Sequence, residues 1–526
     1  MFRYLVHIVS KRRRAFGMAT LSGFLYFYGF GGFGYAYLAW VCLVPVLQAL
    51  DDATLSGWEA LLIAWTFGTV TQMGGYTWLM GMLQDFGHLP LPLATAGYMA
   101  LCVGQGFQMG VWGWVLNRLV SLYGCRVVWV APTALVTLEW LWPALFPSYL
   151  ANSQYRFITF IQALDLVGPL GLSFVVASSS AVIHDLLAAL QQTRPRSIPF
   201  APVCLFLLLV AANLAYGVGA LSDIDETVAH ADDRLKVGLV QVNMGIYEKH
   251  QKPLEGLRRH RDQSLEIERQ GVDLIVWPES GFNFAIPSDT NNVKNSVLGK
   301  LATPVIFGGL RVREGETRHL YNTAFAADGD GNILGTYDKT YLLAFGEYLP
   351  LGDVFPALYK LSPHTTKFDP GSHTEPLVIA GVSYGILICY EDILPRFVAQ
   401  VMAHSPDVLV NLTNDAWFGK SAEPRIHLAL ATFRAVESRR FLLRATNTGI
   451  SAIVDPAGRI VDQTPIFTRA NLTGEIASLS GQTFYGAMGD WVAWLCTAVL
   501  LGIPLCASAR RYVRRAGVHR SGGKPV

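Results

Sequence analysis

The chain has 526 residues, of which 52% are hydrophobic and only 15% charged, and its mean hydropathy of +0.33 is too high for a soluble protein of several domains. A membrane protein is the reading that composition leaves. The formal net charge of +2 excludes the strongly basic surface of a nucleic-acid binder, so the information lies in where the basic residues fall.

In chain order, apolar stretches occupy residues 15–32, 35–50, 57–83, 91–117, 127–147, 169–190 and 199–220, and one more follows at 488–508. Roughly 20 apolar residues cross a bilayer as a helix, so the pattern predicts about eight spans, the second short enough to be tilted or re-entrant. Residues 221–485 mix charge, Gly, Pro and short β-like runs and predict one water-soluble domain. The chain thus divides into a transmembrane bundle over 1–220, a domain over 221–485, and a last span with a basic tail over 486–526.

Basic residues are retained on the cytoplasmic side of short connections. They cluster at Lys11, Arg12, Arg13 and Arg14, at Arg118 and Arg126, at Arg194 and Arg196, and at Arg510, Arg511, Arg514 and Arg515; the intervening connections hold only Arg156. The alternation predicts two cytoplasmic termini and an external domain, entered through an acidic linker with Asp223, Asp225 and Glu226. In a bacterium this is a multi-pass inner-membrane protein with a periplasmic domain. No small-residue cleavage site follows the first apolar stretch, which reads as a retained anchor.

Within the domain, apolar runs at 237–242, 273–277, 304–308, 384–389 and 408–412 alternate with amphipathic helical stretches near 253–270, 395–404 and 424–440. This is an α/β layered pattern. Two hairpins interrupt it, with turns at 328–332 and 455–458. The first begins like a calcium loop, but Ile333 stands at its sixth position instead of Gly and Lys339 at its twelfth instead of Glu, so it reads as a plain turn.

Of the seven cysteines, Cys42, Cys102, Cys204, Cys496 and Cys506 fall in predicted spans and Cys125 at a span edge, which leaves Cys389 alone in the domain. A lone thiol in an oxidising compartment forms no internal disulfide and is a liability unless it is used. Three strand ends carry residues suited to using it: "LIVWPESG" ends at Glu279, "GTYDKTYLLAFGEYLP" carries Lys339 and Glu347, and "GILICYED" delivers Cys389. Sites in layered α/β folds gather beyond the carboxyl ends of strands. A thiol attacks as its thiolate, Glu279 suits the general base that takes its proton, and the Lys339 ammonium with the Tyr390 N–H suits a developing oxyanion. A histidine partner is the rival arrangement, but His230, His250, His260, His319, His364, His373, His404 and His427 sit in no recognisable motif, and no residue pair has metal-ligand spacing on a helix.

"WPESG", "YDKTYLLAFGEYLP", "CYED" and "TNDAWFG", in this order, resemble the carbon-nitrogen hydrolase (nitrilase) superfamily, and the flanking spans make the chain similar to its membrane-embedded apolipoprotein N-acyltransferase family. The resemblance implies an αββα sandwich with a Glu279, Lys339 and Cys389 triad. It also implies a ping-pong reaction at the outer face of the inner membrane: a phospholipid donates an acyl chain to Cys389 as a thioester, and the α-amino group of a diacylglyceryl-modified N-terminal cysteine on an apolipoprotein accepts it. No cofactor or metal is implied, and the reading is of a monomer.

By the same resemblance Glu347 supports the lysine or the intermediate, Glu391 has a structural hydrogen-bonding role beside Tyr390, and Asn414, Asp415, Trp417 and Phe418 form a loop that touches the acyl chain or gates entry. Two segments depart from the family pattern. "VQVNMGIYEKH" has Gly245 and Ile246, with His250 where a Trp is usual; "EWLWPALFPSYL" lacks an Arg-Gly pair and reads Phe146-Pro147-Ser148. Long-chain substrates held in a bilayer by about 0.8 kcal/mol per CH₂ give the spans a purpose. A membrane-tethered amidase of the same superfamily would release product to water and need no eight spans. A transporter with an inactive domain would need ionisable groups in the spans, where Glu139 is one of few, and a noncatalytic lipoprotein-binding scaffold would have no use for all three triad residues.

Overall fold

The computed structural model describes residues 8–521, apart from 86, 88, 192–199, 316–317, 345, 350–351 and 356–366, and gives no side-chain detail for 246, 250 and 508–521. Arg194, Arg196 and His364 therefore lie outside the described residues, as do the side chains of His250, Arg510, Arg511, Arg514 and Arg515.

The N-terminal part is helical: α1 (Arg13–Gly29), α2 (Val44–Leu50), α3 (Gly57–Gly75), α4 (Trp78–Asp85), α5 (Leu91–Tyr123), α6 (Val127–Leu141), α7 (Leu164–Leu190) and α8 (Phe200–Ala229). Among the described residues, α7 and α8 are long and apolar enough to cross a membrane by length and composition, and shorter apolar helices cover Ala36–Leu50, Val127–Leu141 and Trp491–Ala507. Continuous hydropathy conceals breaks. The stretch at 57–83 is two helices, because Gly74 and Gly75 end α3 before α4 begins at Trp78. The stretch at 35–50 is a 3₁₀ turn, Ala36–Trp40, followed by α2 with Pro45 in its first turn. The α3 N-terminus is fixed by a capping box, in which Ser56 and Glu59 satisfy each other's backbone N–H. The α3 and α5 backbones cross in direct contact at two glycines: a Cβ on Gly68 would stand 2.2 Å from the Gly106 carbonyl oxygen. Close backbone approach through small residues is how helices associate where lipid offers no hydrophobic gain.

The domain opens with β1 (Arg234–Gln241), directly after α8, whose last turns carry Asp223, Asp225 and Glu226. It continues through α9 (Pro253–Glu268), β2 (Leu274–Val276), β3 (Phe282–Pro287), β4 (Val305–Arg313), β5 (His319–Ala327) and β6 (Ile333–Asp338). A second half follows: β7 (Leu377–Ile379), β8 (Val382–Ile388), α10 (Pro395–Met402), β9 (Val408–Thr413), α11 (Glu423–Ser438), β10 (Leu442–Thr446), β11 (Ala452–Val454), β12 (Ile460–Gln463) and β13 (Ala470–Ala477). The chain then enters the apolar helix α12 (Trp491–Ser521).

These strands make two sheets, ordered β13-β1-β2-β4-β5-β6 with β3 on β4, and β12-β11-β10-β9-β8-β7. The centre of each is parallel: β1 with β2 and β2 with β4 in one, β8 with β9 and β9 with β10 in the other. The period-2 alternation of strand side chains decides the layering. Val237 and Leu239 of β1, Leu274 and Val276 of β2, and Ile306 of β4 face a core shared with Ile386, Ile388, Val410 and Leu412 of the other sheet. Their neighbours Val240, Ile275, Val305 and Phe307 face the opposite way, onto Leu257 and Ile267 of α9. With α10 and α11 covering the second sheet, the domain is the αββα sandwich that the sequence implies. It is joined to the helical part by polar contacts, among them Arg439 with Asp165 at 2.6 Å and Arg459 with Asp225 at 2.6 Å.

Candidate active site

Glu279 lies three residues beyond β2, after Trp277 and Pro278, and is buried. Its position depends on a glycine in the neighbouring strand: a Cβ on Gly308 of β4 would meet the Pro278 carbonyl oxygen at 2.7 Å and the Glu279 Cα at 2.8 Å. The chain turns sharply at Ser280, whose φ of 53° is in the left-handed region. Lys339 follows β6 directly, with its N–H donating to the Asn322 carbonyl at 2.8 Å. Its Nζ stands 2.8 Å from Glu347 Oε2 and 3.5 Å from Glu279 Oε1.

Asn322 of β5 binds the two carboxylates together. Its Nδ2 donates to Glu279 Oε1 at 2.7 Å and to Glu347 Oε1 at 2.8 Å. Glu347 in turn accepts from the Leu343 N–H at 2.8 Å, which closes the turn of its own loop. Burial opposes the charge on Lys339, yet the two carboxylates hold its pKa well above the usual lysine value. Burial also raises Glu279, against the pull of Lys339 and with the help of Glu347.

Cys389 follows β8 directly with φ at 53°, a strained value for a residue with a Cβ. The strain is held from outside: Asn411 Nδ2 donates to the Cys389 carbonyl at 3.2 Å. Burial pushes the thiol well above its ordinary pKa, with Glu279 adding to the effect and Lys339 and the Thr413 hydroxyl opposing it. At rest the sulfur is a thiol, and a carboxylate with a raised pKa is the matched acceptor for its proton.

Glu391 locks this turn to the lysine loop. It accepts from the N–H groups of Ile388, Thr340 and Tyr341 at 2.7, 2.7 and 2.9 Å and from the Tyr337 hydroxyl at 2.9 Å. Burial raises its pKa to about 7 although these bonds favour the charge. The Tyr390 hydroxyl reaches away and donates to the Leu145 carbonyl of the helical part at 2.7 Å. Asn414 accepts from Asn447 at 3.0 Å and caps the short turn Asp415–Phe418. In that turn Trp417 is partly exposed, while Phe418 is buried edge-on against Trp78 at 4.8 Å. The loop thus contacts the helices at Phe418.

A cavity lies between the two parts of the chain. Cys389, Tyr390, Leu343, Phe418 and His427 line it from the domain, and Phe27, Gln72, Gln108, Met109, Glu139 and Phe146 from the helical side.

A buried ionic network behind Cys389 escapes the motif reading. Arg444 of β10 donates to Asp392 at 2.5 Å, to Asn411 Oδ1 at 2.8 Å and to Asp415 at 3.3 Å. His427 places Nε2 2.8 Å from Asp392 and Nδ1 3.1 Å from Asp415. Both ring nitrogens face carboxylates, so both carry protons. Burial and Arg444 oppose that charge, and Asp392 and Asp415 outweigh them, bringing the His427 pKa to about 10. Asp415, Glu423 and His427 bring ligand atoms within 4.8 Å of one another, but two cations already balance the aspartates, which leaves little attraction for a metal ion. A charged Arg444 in the wholly buried "LLRAT" strand is the sequence signal for this network. Asn322 offers no such signal.

Residues 236–484 match the carbon-nitrogen hydrolase family, which gives the class of the domain. Residues 22–182 match the apolipoprotein N-acyltransferase N-terminal domain. Along almost its whole length the chain is similar to the apolipoprotein N-acyltransferase of Geobacter metallireducens, 31% identical over 518 residues that cover 95% of this chain and 96% of that protein. The enzyme of that name from Pseudomonas putida is 31% identical over 476 residues, 86% of this chain and 89% of that protein. Among solved structures, Saccharomyces cerevisiae Nit3, a member of branch 10 of the nitrilase superfamily, aligns over 47% of this chain and 91% of its own at 17% identity, with a TM-score of 0.38. This chain belongs to the apolipoprotein N-acyltransferase family, and it is an acyltransferase.

Proposed function

We propose that the protein N-acylates the N-terminal diacylglyceryl-cysteine of apolipoproteins with a phospholipid as acyl donor, in two half-reactions through a thioester on Cys389. In the first, Glu279 takes the proton from the Cys389 thiol as sulfur attacks the ester carbonyl of the lipid. Lys339 and the Tyr390 N–H stabilise the oxyanion. Collapse breaks the ester C–O bond, and the lysophospholipid oxygen leaves with the proton that Glu279 held. In the second half-reaction the acceptor's α-amino nitrogen attacks the thioester carbonyl and gives up a proton to Glu279. The C–S bond then breaks and the proton returns to sulfur, leaving an amide. Glu347 keeps Lys339 in place, Glu391 holds the nucleophile turn, and Asn414, Trp417 and Phe418 contact the lipid or its entrance.

The observation that carries this reading is the shared cavity, in which Cys389 faces residues from five helices of the N-terminal part. An acyl chain lying there is screened from water, which protects a thioester from hydrolysis. The reading includes about eight spans, two cytoplasmic termini, a periplasmic catalytic domain over 221–485 between the bundle over 1–220 and the last span over 486–526, and action as a monomer without cofactor. Intact-mass spectrometry of the full-length protein with phospholipid tests it. One acyl mass appears on wild type, disappears on addition of a diacylglyceryl-cysteinyl peptide, and never forms on Cys389→Ala. Wild type that stays unmodified yet converts small amides is instead a membrane-tethered amidase.

A further inference from the structure

We infer that Glu139 is the counter-ion for a primary ammonium group that a substrate carries into the cavity. The proposal rests on the acyl-transfer reading above and adds a binding residue to it.

Glu139 is near the end of α6, in an otherwise uncharged helix, "VVWVAPTALVTLEWL", and is only 9% exposed. Its Oε1 accepts from the Leu150 N–H at 2.8 Å, which holds the loop containing Phe146, Pro147 and Ser148. Its Oε2 makes no hydrogen bond of regular geometry among the described residues, and the Ser173 hydroxyl stabilises the carboxylate only from nearby. The residue lines the same cavity as Cys389. Among the described residues no lysine or arginine lines that cavity, and His427, the one basic residue they place in its wall, is committed to Asp392 and Asp415.

A loop anchor needs one acceptor oxygen, and a neutral amide would supply it. A carboxylate with an unsatisfied oxygen in an apolar helix is costly, and ionisable groups in such places mark a partner or a path. The chemistry that answers it is a cation with N–H donors, small enough to sit among Gln72, Gln108 and Ser148, which also line the cavity. A primary ammonium has those properties. Two substrate groups bear one: the headgroup of an aminophospholipid donor, and the acceptor's N-terminal α-amino group before it loses its proton.

The test uses the full-length enzyme and Glu139→Gln, which keeps the volume and an acceptor for Leu150. The first arm measures Cys389 acylation by intact mass from phosphatidylethanolamine and from phosphatidylglycerol with the same chains. The second measures transfer from the preformed acyl-enzyme to a diacylglyceryl-cysteinyl peptide. If the headgroup is the occupant, Glu139→Gln loses about tenfold with phosphatidylethanolamine and nothing with phosphatidylglycerol. If the acceptor is, both acylations are unchanged and the KM for the peptide rises about tenfold at constant kcat. Equal losses with both lipids, or no change in either arm, overturn the inference. Glu139→Asp keeps the charge and moves in the same sense by a smaller factor, which serves if the Gln variant does not fold. Wild type that is never acylated by either lipid would overturn the acyl-transfer reading instead.

Discussion

Lys339 has its shorter ionic contact with Glu347, at 2.8 Å, and its longer one with Glu279, at 3.5 Å. The lysine is therefore held more closely by Glu347 than by Glu279, which on the proposed mechanism leaves Glu279 freer to exchange a proton with sulfur. If Lys339 stabilises the oxyanion as proposed, replacing Glu347 by Gln loosens that ammonium, and acylation of Cys389 should fall by about 10²-fold, the usual cost of losing one such donor. Rapid-quench intact-mass measurement reads this directly. A wild-type rate in Glu347→Gln would remove the second acid from the chemistry.

Asn322 presents one amide nitrogen to both carboxylates, and its hydrogen bond lowers the pKa of Glu279. With Asn322→Leu that restraint is gone and Glu279 keeps its proton to higher pH. The base is then unavailable over a wider acidic range, so the acidic limb of the acylation profile moves upward in pH. A profile that only drops in height, with its limb in place, would mean that Asn322 acts on geometry alone.

Gly308 has no side chain to act in chemistry, yet its missing Cβ leaves room for the backbone of Pro278 and Glu279. Gly308→Ala should displace Glu279 and reduce acylation by on the order of 10²-fold, since small misplacements of reacting groups are costly. Thermal unfolding would show most of the stability retained. Full activity in this variant would show that the loop yields without moving the carboxylate.

Arg444→Met leaves Asp392 and Asp415 buried with one cation fewer, and breaking such a pair costs about 3–5 kcal/mol. Denaturant unfolding of the detergent-solubilised protein measures it. His427 adds a pH dependence whose sign follows from its pKa of about 10, raised above the ordinary value near 6.5. Its stabilisation is complete below about pH 6.5 and is lost as pH rises through 10. The stability of wild type should therefore decline across that window more steeply than that of His427→Gln. Parallel slopes would mean that the imidazole is neutral in the folded protein.

Much of the sandwich is legible in the order of residues because alternation along β1, β2 and β4 places one set of side chains between the sheets and the other under α9. The pattern is hidden where polar residues break the apolar run. β13 carries Asn471, Thr473 and Glu475 on an edge, and β10 buries Arg444, a residue that argues against a strand until Asp392 and Asp415 are seen beside it. The strand-end residues Glu279 and Cys389 are legible because each ends an apolar run, and Lys339 because it follows a hairpin strand in "YDKTYLL". Asn322 is not, because its meaning lies in Glu279, 43 residues away, and Glu347, 25 residues away. Hydropathy likewise passes over the break between α3 and α4, since glycine is no less apolar for ending a helix.

The Tyr390 hydroxyl on the Leu145 carbonyl moors the residue next to Cys389 to the loop after α6. A domain cut loose from its helices would keep every group that makes and breaks bonds, yet its sulfur would open onto bulk solvent where a wall now stands. On the proposed mechanism any acyl group it captured would be surrendered to water, so it is the helical half that lets a hydrolase-like scaffold pass its cargo to another molecule.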